Sequence, residues 1–146
     1  MGRTIAALIL LMVGGLGVAT AEDSTEASIG DSRLTAGDVV VLEEPIEGNA
    51  FAAGSRVEVR ARVDRSVFLS GGNVTMAGSV GRNLYAAGGE VRIEGEVEGK
   101  ARAAGGKIRV SPEARIGGSA AFAGDSIALD GAVGGRLRAY GDTIVI

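Results

Sequence analysis

The chain has no cysteine, no histidine and no tryptophan, only 2 prolines, and aromatic residues make up 3% of its 146 positions. The missing cysteines exclude disulfides, thiolate nucleophiles, thiolate-held metals and a lipidated anchor cysteine. The missing histidines exclude Ser-His-Asp and Cys-His catalysis and His-ligated zinc. Carboxylate, hydroxyl or lysine chemistry is all that remains for an enzyme. Positive charge is also short, with 15 Lys+Arg against 18 Asp+Glu, a net charge of -3 and a pI near 5.0. A nucleic-acid partner is therefore not expected, because the whole-chain basic footprint is missing. What the chain does have is glycine, 25 residues, and a hydrophobic fraction of 46%. That combination of apolar content and low net charge does not describe a disordered chain, and the length suits one domain.

The N-terminus carries an address. Arg3 gives a positive start, residues 5–18 are an uncharged run rich in Leu, Ile, Ala and Gly, and Ala19-Thr20-Ala21 is a small-x-small cleavage pattern before Glu22. This is the pattern of a secretory signal peptide spanning residues 1–21. The run falls short of the roughly 20 apolar residues that a spanning helix needs, and Gly14, Gly15 and Gly17 weaken it as a permanent helix. The expectation is an exported protein of the periplasm or cell envelope. An uncleaved inner-membrane anchor, or a buried N-terminal helix, is the alternative. Residues 22–28 read as a short acidic linker, and cleavage after Ala21 leaves 14 Lys+Arg against 18 Asp+Glu, a net of -4.

Everything from residue 29 to 146 repeats. Ile29, Ile46, Val63, Val80, Val97, Ile116 and Val133 share one column, at spacings of 17, 17, 17, 17, 19 and 17 residues. Eight residues after each stands a glycine, at Gly37, Gly54, Gly71, Gly88, Gly105, Gly124 and Gly141. A backbone requirement explains such a column: a corner with positive φ, or a close approach of stacked backbones. Two further columns are wholly apolar, one running from Val40 to Ile144 and one, two residues on, from Leu42 to Ile146. A spacing of two is strand periodicity, so the residues between them, such as Glu58, Thr75, Arg92 and Arg109, should face water. A second alternation, in Val67 and Leu69, Leu84 and Ala86, Leu137 and Ala139, marks another strand in each repeat.

No stretch of helical periodicity separates these short strands. Identical columns at a constant offset place each repeat directly over the last, which predicts an all-β, single-domain parallel β-helix of seven repeats, the last incomplete. At about 4.8 Å per rung the six offsets give a stack about 29 Å long. The inserted Ser111-Pro112-Glu113 accounts for the 19-residue interval and should bulge outward as a corner, since proline cannot donate to a ladder.

The unit Val80–Glu96, VGRNLYAAGGEVRIEGE, echoed by Val97–Val110, VEGKARAAGGKIRV, resembles the bactofilin, or polymer-forming cytoskeletal, family of bacteria. The resemblance covers residues 29–146. It implies a compact, right-handed, triangular β-helix that assembles end to end into filaments without a nucleotide, and it implies scaffolding rather than catalysis. Bactofilins usually lack a signal peptide and work on the cytoplasmic side, so the cleavage pattern directs the expectation to an envelope relative. The chain stops inside a repeat at Thr143-Ile144-Val145-Ile146. Ile144, Val145 and Ile146 are therefore candidates for an end-to-end contact between copies, a homopolymer in which the next chain supplies the missing pairing. The other reading is a longer polypeptide whose next repeat covers them.

Other constellations were weighed for chemistry. The Gly-Gly pairs at 71–72, 88–89 and 105–106 lack the Gly-Lys-Ser/Thr and the following helix of a phosphate cradle. Calcium-binding Gly-Gly-x-Gly-x-Asp rolls are not matched either, because an apolar residue replaces the third glycine. The Ile116-Gly117 and Val133-Gly134 starts are shared with hexapeptide-repeat acyltransferases, whose usual base is a histidine. Glu90, Glu94, Glu96 and Glu98 crowd together, but their basic neighbours favour a solvated charge pattern over a catalytic pair. No residue is assigned a catalytic, cofactor or metal role. The column five residues into each repeat reads Leu34, Phe51, Phe68, Tyr85, Arg102, Ala121, Arg138. Alternation with Leu84 and Ala86 places it outside, as a lateral apolar interface for a partner, a membrane surface or a sugar polymer. The opposite parity would put the rings in the core. Two functions follow as expectations: a self-associating envelope scaffold, or an extracytoplasmic β-solenoid module that binds peptidoglycan or another polysaccharide.

Overall fold

The computed structural model describes Val18–Thr20 and residues 24–146. In chain order the strands are β1 (Val18–Thr20), β2 (Ser24–Ile29), β3 (Ser32–Leu42), β4 (Ala50–Val59), β5 (Arg62–Val63), β6 (Val67–Met76), β7 (Ser79–Val80) and β8 (Leu84–Ile93). They continue with β9 (Glu96–Val97), β10 (Ala101–Val110), β11 (Arg115–Ile116), β12 (Ala120–Leu129), β13 (Ala132–Val133), β14 (Leu137–Tyr140) and β15 (Thr143–Val145). From β5 to β12 each rung holds a strand of two residues and one of ten, and in the last rung the long strand is split into β14 and β15. The long strands pair in parallel in the order β3-β4-β6-β8-β10-β12-β14, with β15 also on β12, and the short ones form a second sheet, β13-β11-β9-β7-β5. The chain is a parallel β-solenoid of about 7 turns with about 17 residues per turn.

Register follows the columns read from the sequence. Val57, Val74, Val91 and Ile108 face one another rung by rung, as do Val59, Met76, Ile93 and Val110. All eight are buried, and with the Val67–Leu69 and Leu84–Ala86 pairs they form one continuous core. Within a long strand the buried positions are the first, third, eighth and tenth, as in Val67, Leu69, Val74 and Met76. Going from the third to the eighth is an odd step, which in a straight strand would swap faces. The core stays on one side only because the chain turns between them, at the glycine column. The ladder shows the turn as a skipped residue: Gly54 pairs with Gly71 and Arg56 with Asn73, while Ser55 and Gly72 make no pair.

Close approach, not left-handed backbone, is what selects glycine in that column. Among the described residues Gly30 alone of the glycines has positive φ, at 58°. A Cβ built on Gly54, Gly71, Gly88, Gly105, Gly124 or Gly141 would overlap the carbonyl oxygen of the column glycine one rung below. At the next position the approach is looser: a Cβ on Gly89 would lie 3.1 Å from the carbonyl oxygen of Gly72. That column accordingly tolerates Asp38, Ser55 and Asp125 beside its glycines.

The two added residues of the long interval do bulge outward. Pro112 and Glu113 are exposed, Ala114 N–H closes a turn onto the Ser111 carbonyl at 2.9 Å, and Arg115–Ile116 rejoin the short-strand sheet opposite Glu96–Val97. In the core, Phe122 is 1% exposed and lies in the ladder between Ala103 and Ala139, so one large ring fills the space its small neighbours leave.

The N-terminal end differs from the expectation. Ser24–Ile29 is no linker: it runs antiparallel to β3, with Ile29 opposite Ser32 and Ser24 opposite Gly37. Ile29 therefore closes a hairpin, whereas the equivalent Ile46 bridges to Val63 in parallel. The two-residue loop Gly30-Asp31, with glycine at its left-handed first position, is the chemistry such a hairpin needs. Val18–Thr20 in turn pairs antiparallel with β2. The rest of the signal segment, residues 1–17, and Ala21 at the cleavage point lie outside the described residues. Cleavage after Ala21 would remove β1 and leave β2 whole.

Among the described residues one polar side chain is buried in this core. Thr35 occupies the inward column filled higher up by Ala52 and Leu69, is 9% exposed, and its Oγ1 has no hydrogen-bond partner. A buried hydroxyl without a partner costs free energy that an isosteric methyl does not. Thr35→Val is therefore expected to raise stability by about 1 kcal/mol, read as a higher melting temperature in thermal denaturation followed by circular dichroism.

Candidate functional surfaces

Three surfaces carry the residues singled out by the sequence. The first is the column of rings. Phe51 and Phe68 are each 37% exposed, Leu34 and Tyr85 half-buried, and their strand neighbours Ala52, Leu69 and Ala86 buried, so the column faces outward. Parallel in-register pairing sets Phe51 beside Phe68 and Phe68 beside Tyr85. Their rings stack at 4.8 Å and 4.9 Å between centroids with planes 5° and 7° apart. The stack therefore repeats at the spacing of the rungs themselves. Beside it runs a column of small residues, Ala53, Ser70, Ala87 and Ala104, and the two columns border a shallow apolar groove of about 460 Å³ that ends at Arg102.

The second surface is the last rung. β14 and β15 lie on β12, with Ile127 opposite Ile144 and Ala128 opposite Val145. Ile144, Val145 and Ile146 are 39%, 56% and 81% exposed. In every earlier rung the positions equivalent to Ile144 and Ile146, such as Ile127 and Leu129, are buried by the rung that follows. The opposite edge of the stack is different, since β2 already occupies the outer edge of β3.

The third is the charged side of the long strands. The four glutamates do not converge. Glu90 and Glu94 flank Arg92, at 3.6 Å and 3.8 Å from its guanidinium nitrogens, while Glu96 and Glu98 stand on either side of the buried Val97 in the short-strand sheet. Arg60 donates from Nε to Glu58 Oε1 at 2.8 Å and from Nη1 to Glu43 Oε1, one rung below, at 3.2 Å. The hydrogen bond that Arg60 donates to Glu58, and then the charge of Glu58, hold the Arg60 guanidinium further toward its charged form. Exposed pairs of this kind add little stability.

A ladder missed in the sequence runs along one corner. Ser32, Asn49, Ser66 and Asn83 occupy one column, and each side-chain oxygen accepts from the backbone N–H of the residue above it: Asn49, Ser66, Asn83 and Lys100, at 3.1, 3.0, 3.4 and 3.0 Å. Lys100 interrupts the series, and Ser119 resumes it by accepting from the Arg136 N–H at 3.4 Å. Alternating Ser and Asn at the 17-residue period was the signal available for it.

No helix among the described residues is long and apolar enough to cross a membrane. Fold and surfaces together define a parallel β-solenoid with an outward aromatic ladder. Compared with family models, with curated proteins and with solved structures, the chain matches none.

Proposed function

We propose that this chain is a non-enzymatic structural scaffold of the bacterial cell envelope, an exported protein similar to bactofilins, that self-associates end to end through its last rung. The observation that carries the reading is the pairing of β15. Ile144 and Val145 sit in register on β12, and the outer edge of that rung offers the same columns that every lower rung offers to its successor. A strand edge with exposed apolar side chains is completed by whatever rung follows it. A second copy of the chain supplies one. The polysaccharide-binding alternative is the weaker, because Phe68 has a ring against each face and those faces are what a sugar ring would stack on.

The test compares the purified protein with an Ile144→Asp/Ile146→Asp variant by negative-stain electron microscopy. Elongated assemblies in the parent and single particles in the variant, with equal melting temperatures, are the expected result. Identical assembly in both would contradict an end-to-end contact at these residues.

A further inference from the structure

Among the described residues, the outward columns of the long strands that carry the rings contain no carboxylate. The two columns, one from Leu34 to Arg138 and one from Ala53 to Tyr140, hold apolar, aromatic, small and cationic residues only, although the chain has 18 acids. Asp38, Asp125 and Asp142 come no nearer than the glycine corner. In a protein of net charge -3 this is a segregation of charge.

The cations on this side are grouped. Lys100 and Arg102 belong to the rung of β10, and Arg136 and Arg138 stand two rungs further on, with Ser119 and Ala121 between them. The small residues in the middle rung leave a recess of about 300 Å³ walled by the four basic side chains. All four are exposed, and among the described residues no carboxylate pairs with any of them, unlike Arg33, Arg60, Arg62 and Arg92 elsewhere. Arg102 lines both this recess and the apolar groove, so the two adjoin at this side chain.

We infer that this side is a docking surface for an anionic phospholipid bilayer. The chemistry is that of interfacial attachment: apolar and aromatic side chains enter the headgroup boundary, while unpaired Lys and Arg hold lipid phosphates and are attracted by the negative surface potential. The acid-free side removes the repulsion that the rest of this molecule would meet. Its columns lie on one sheet, so several rungs reach the surface together. The contact uses the outward side of the rungs, Arg136 and Arg138 of the last one included, whereas end-to-end assembly uses the free edge of that rung and Ile144 and Ile146, so it does not rest on that assembly.

The protein, purified from the host that exports it and with its N-terminus read by mass spectrometry, is floated with vesicles of phosphatidylcholine alone or mixed with phosphatidylglycerol, in low and high salt. Binding about tenfold tighter to the anionic vesicles, lost in high salt, is expected. Arg102→Glu/Arg138→Glu should reduce it to the level of the neutral vesicles at an unchanged melting temperature, and Arg102→Lys/Arg138→Lys should keep it. No binding would overturn the proposal. So would equal binding to both vesicles, or binding indifferent to the Arg-to-Glu changes, which is what a retained N-terminal hydrophobic segment would produce. Capture by cell-wall sacculi but not vesicles would assign the side to a polysaccharide, and a dimer broken by Phe68→Ser without vesicle binding would assign it to a second copy. Either result also overturns it.

Discussion

Gly88→Ala should destabilise the protein by about 3 kcal/mol or more, whereas Gly89→Ala, one residue on, should stay within about 1 kcal/mol of the parent. At Gly88 the added methyl overlaps the carbonyl oxygen of Gly71, and that oxygen belongs to a backbone held in the ladder on both sides. A flexible side chain could move away; a paired backbone cannot without opening the rungs. At Gly89 the nearest atom is 3.1 Å away, and the φ is one that alanine adopts. The same column already accepts Ser55. Thermal denaturation of the two variants side by side reads the difference as a fall of roughly 10 °C against little change. Equal melting temperatures would mean that the glycine column is not set by stacking.

The second large effect is charge in the core. Val91→Lys or Ile108→Lys should abolish the cooperative melt or lower stability by more than about 4 kcal/mol. Both side chains are 0% exposed and sit between like residues in the rungs above and below, with no polar partner for an ammonium. Arg92→Lys, one residue from Val91 and facing outward, is the control and should melt as the parent does. A Val91→Lys protein that melts near the parent temperature would remove this residue from the core.

These two experiments also separate what the sequence disclosed from what it concealed. The in-register columns were legible because every rung makes the same contacts, so selection for packing repeats in the chain at the repeat period. The outward corner at Ser111-Pro112-Glu113 was legible for the converse reason, as a break in that period at a residue unable to pair. The cause of the glycine column was not. A close approach and a positive φ both demand the same residue, and only the carbonyl of the rung below distinguishes them. The parity of Phe51, Phe68 and Tyr85 stayed open because short strands on either side of a corner share no common phase. β2 was hidden because Ser24–Ile29 lies before the periodic region and Ile29 fits the repeat column by position. The Gly30-Asp31 pair before Ser32 was a hairpin signal that the period overshadowed. The unpaired quartet Lys100, Arg102, Arg136 and Arg138 was invisible in a chain with more acids than bases, because net charge says nothing about which side of a solenoid each residue faces.

The edge of β3 is covered by the hairpin strand β2, and the proposal is that the edge of the last rung is covered by a second copy. Sedimentation velocity of the purified protein across a wide range of concentrations tests that most directly. Conversion of monomer into a larger species with rising concentration, lost in the Ile144→Asp/Ile146→Asp variant, is the predicted result, and a single monomeric species at every concentration would contradict it.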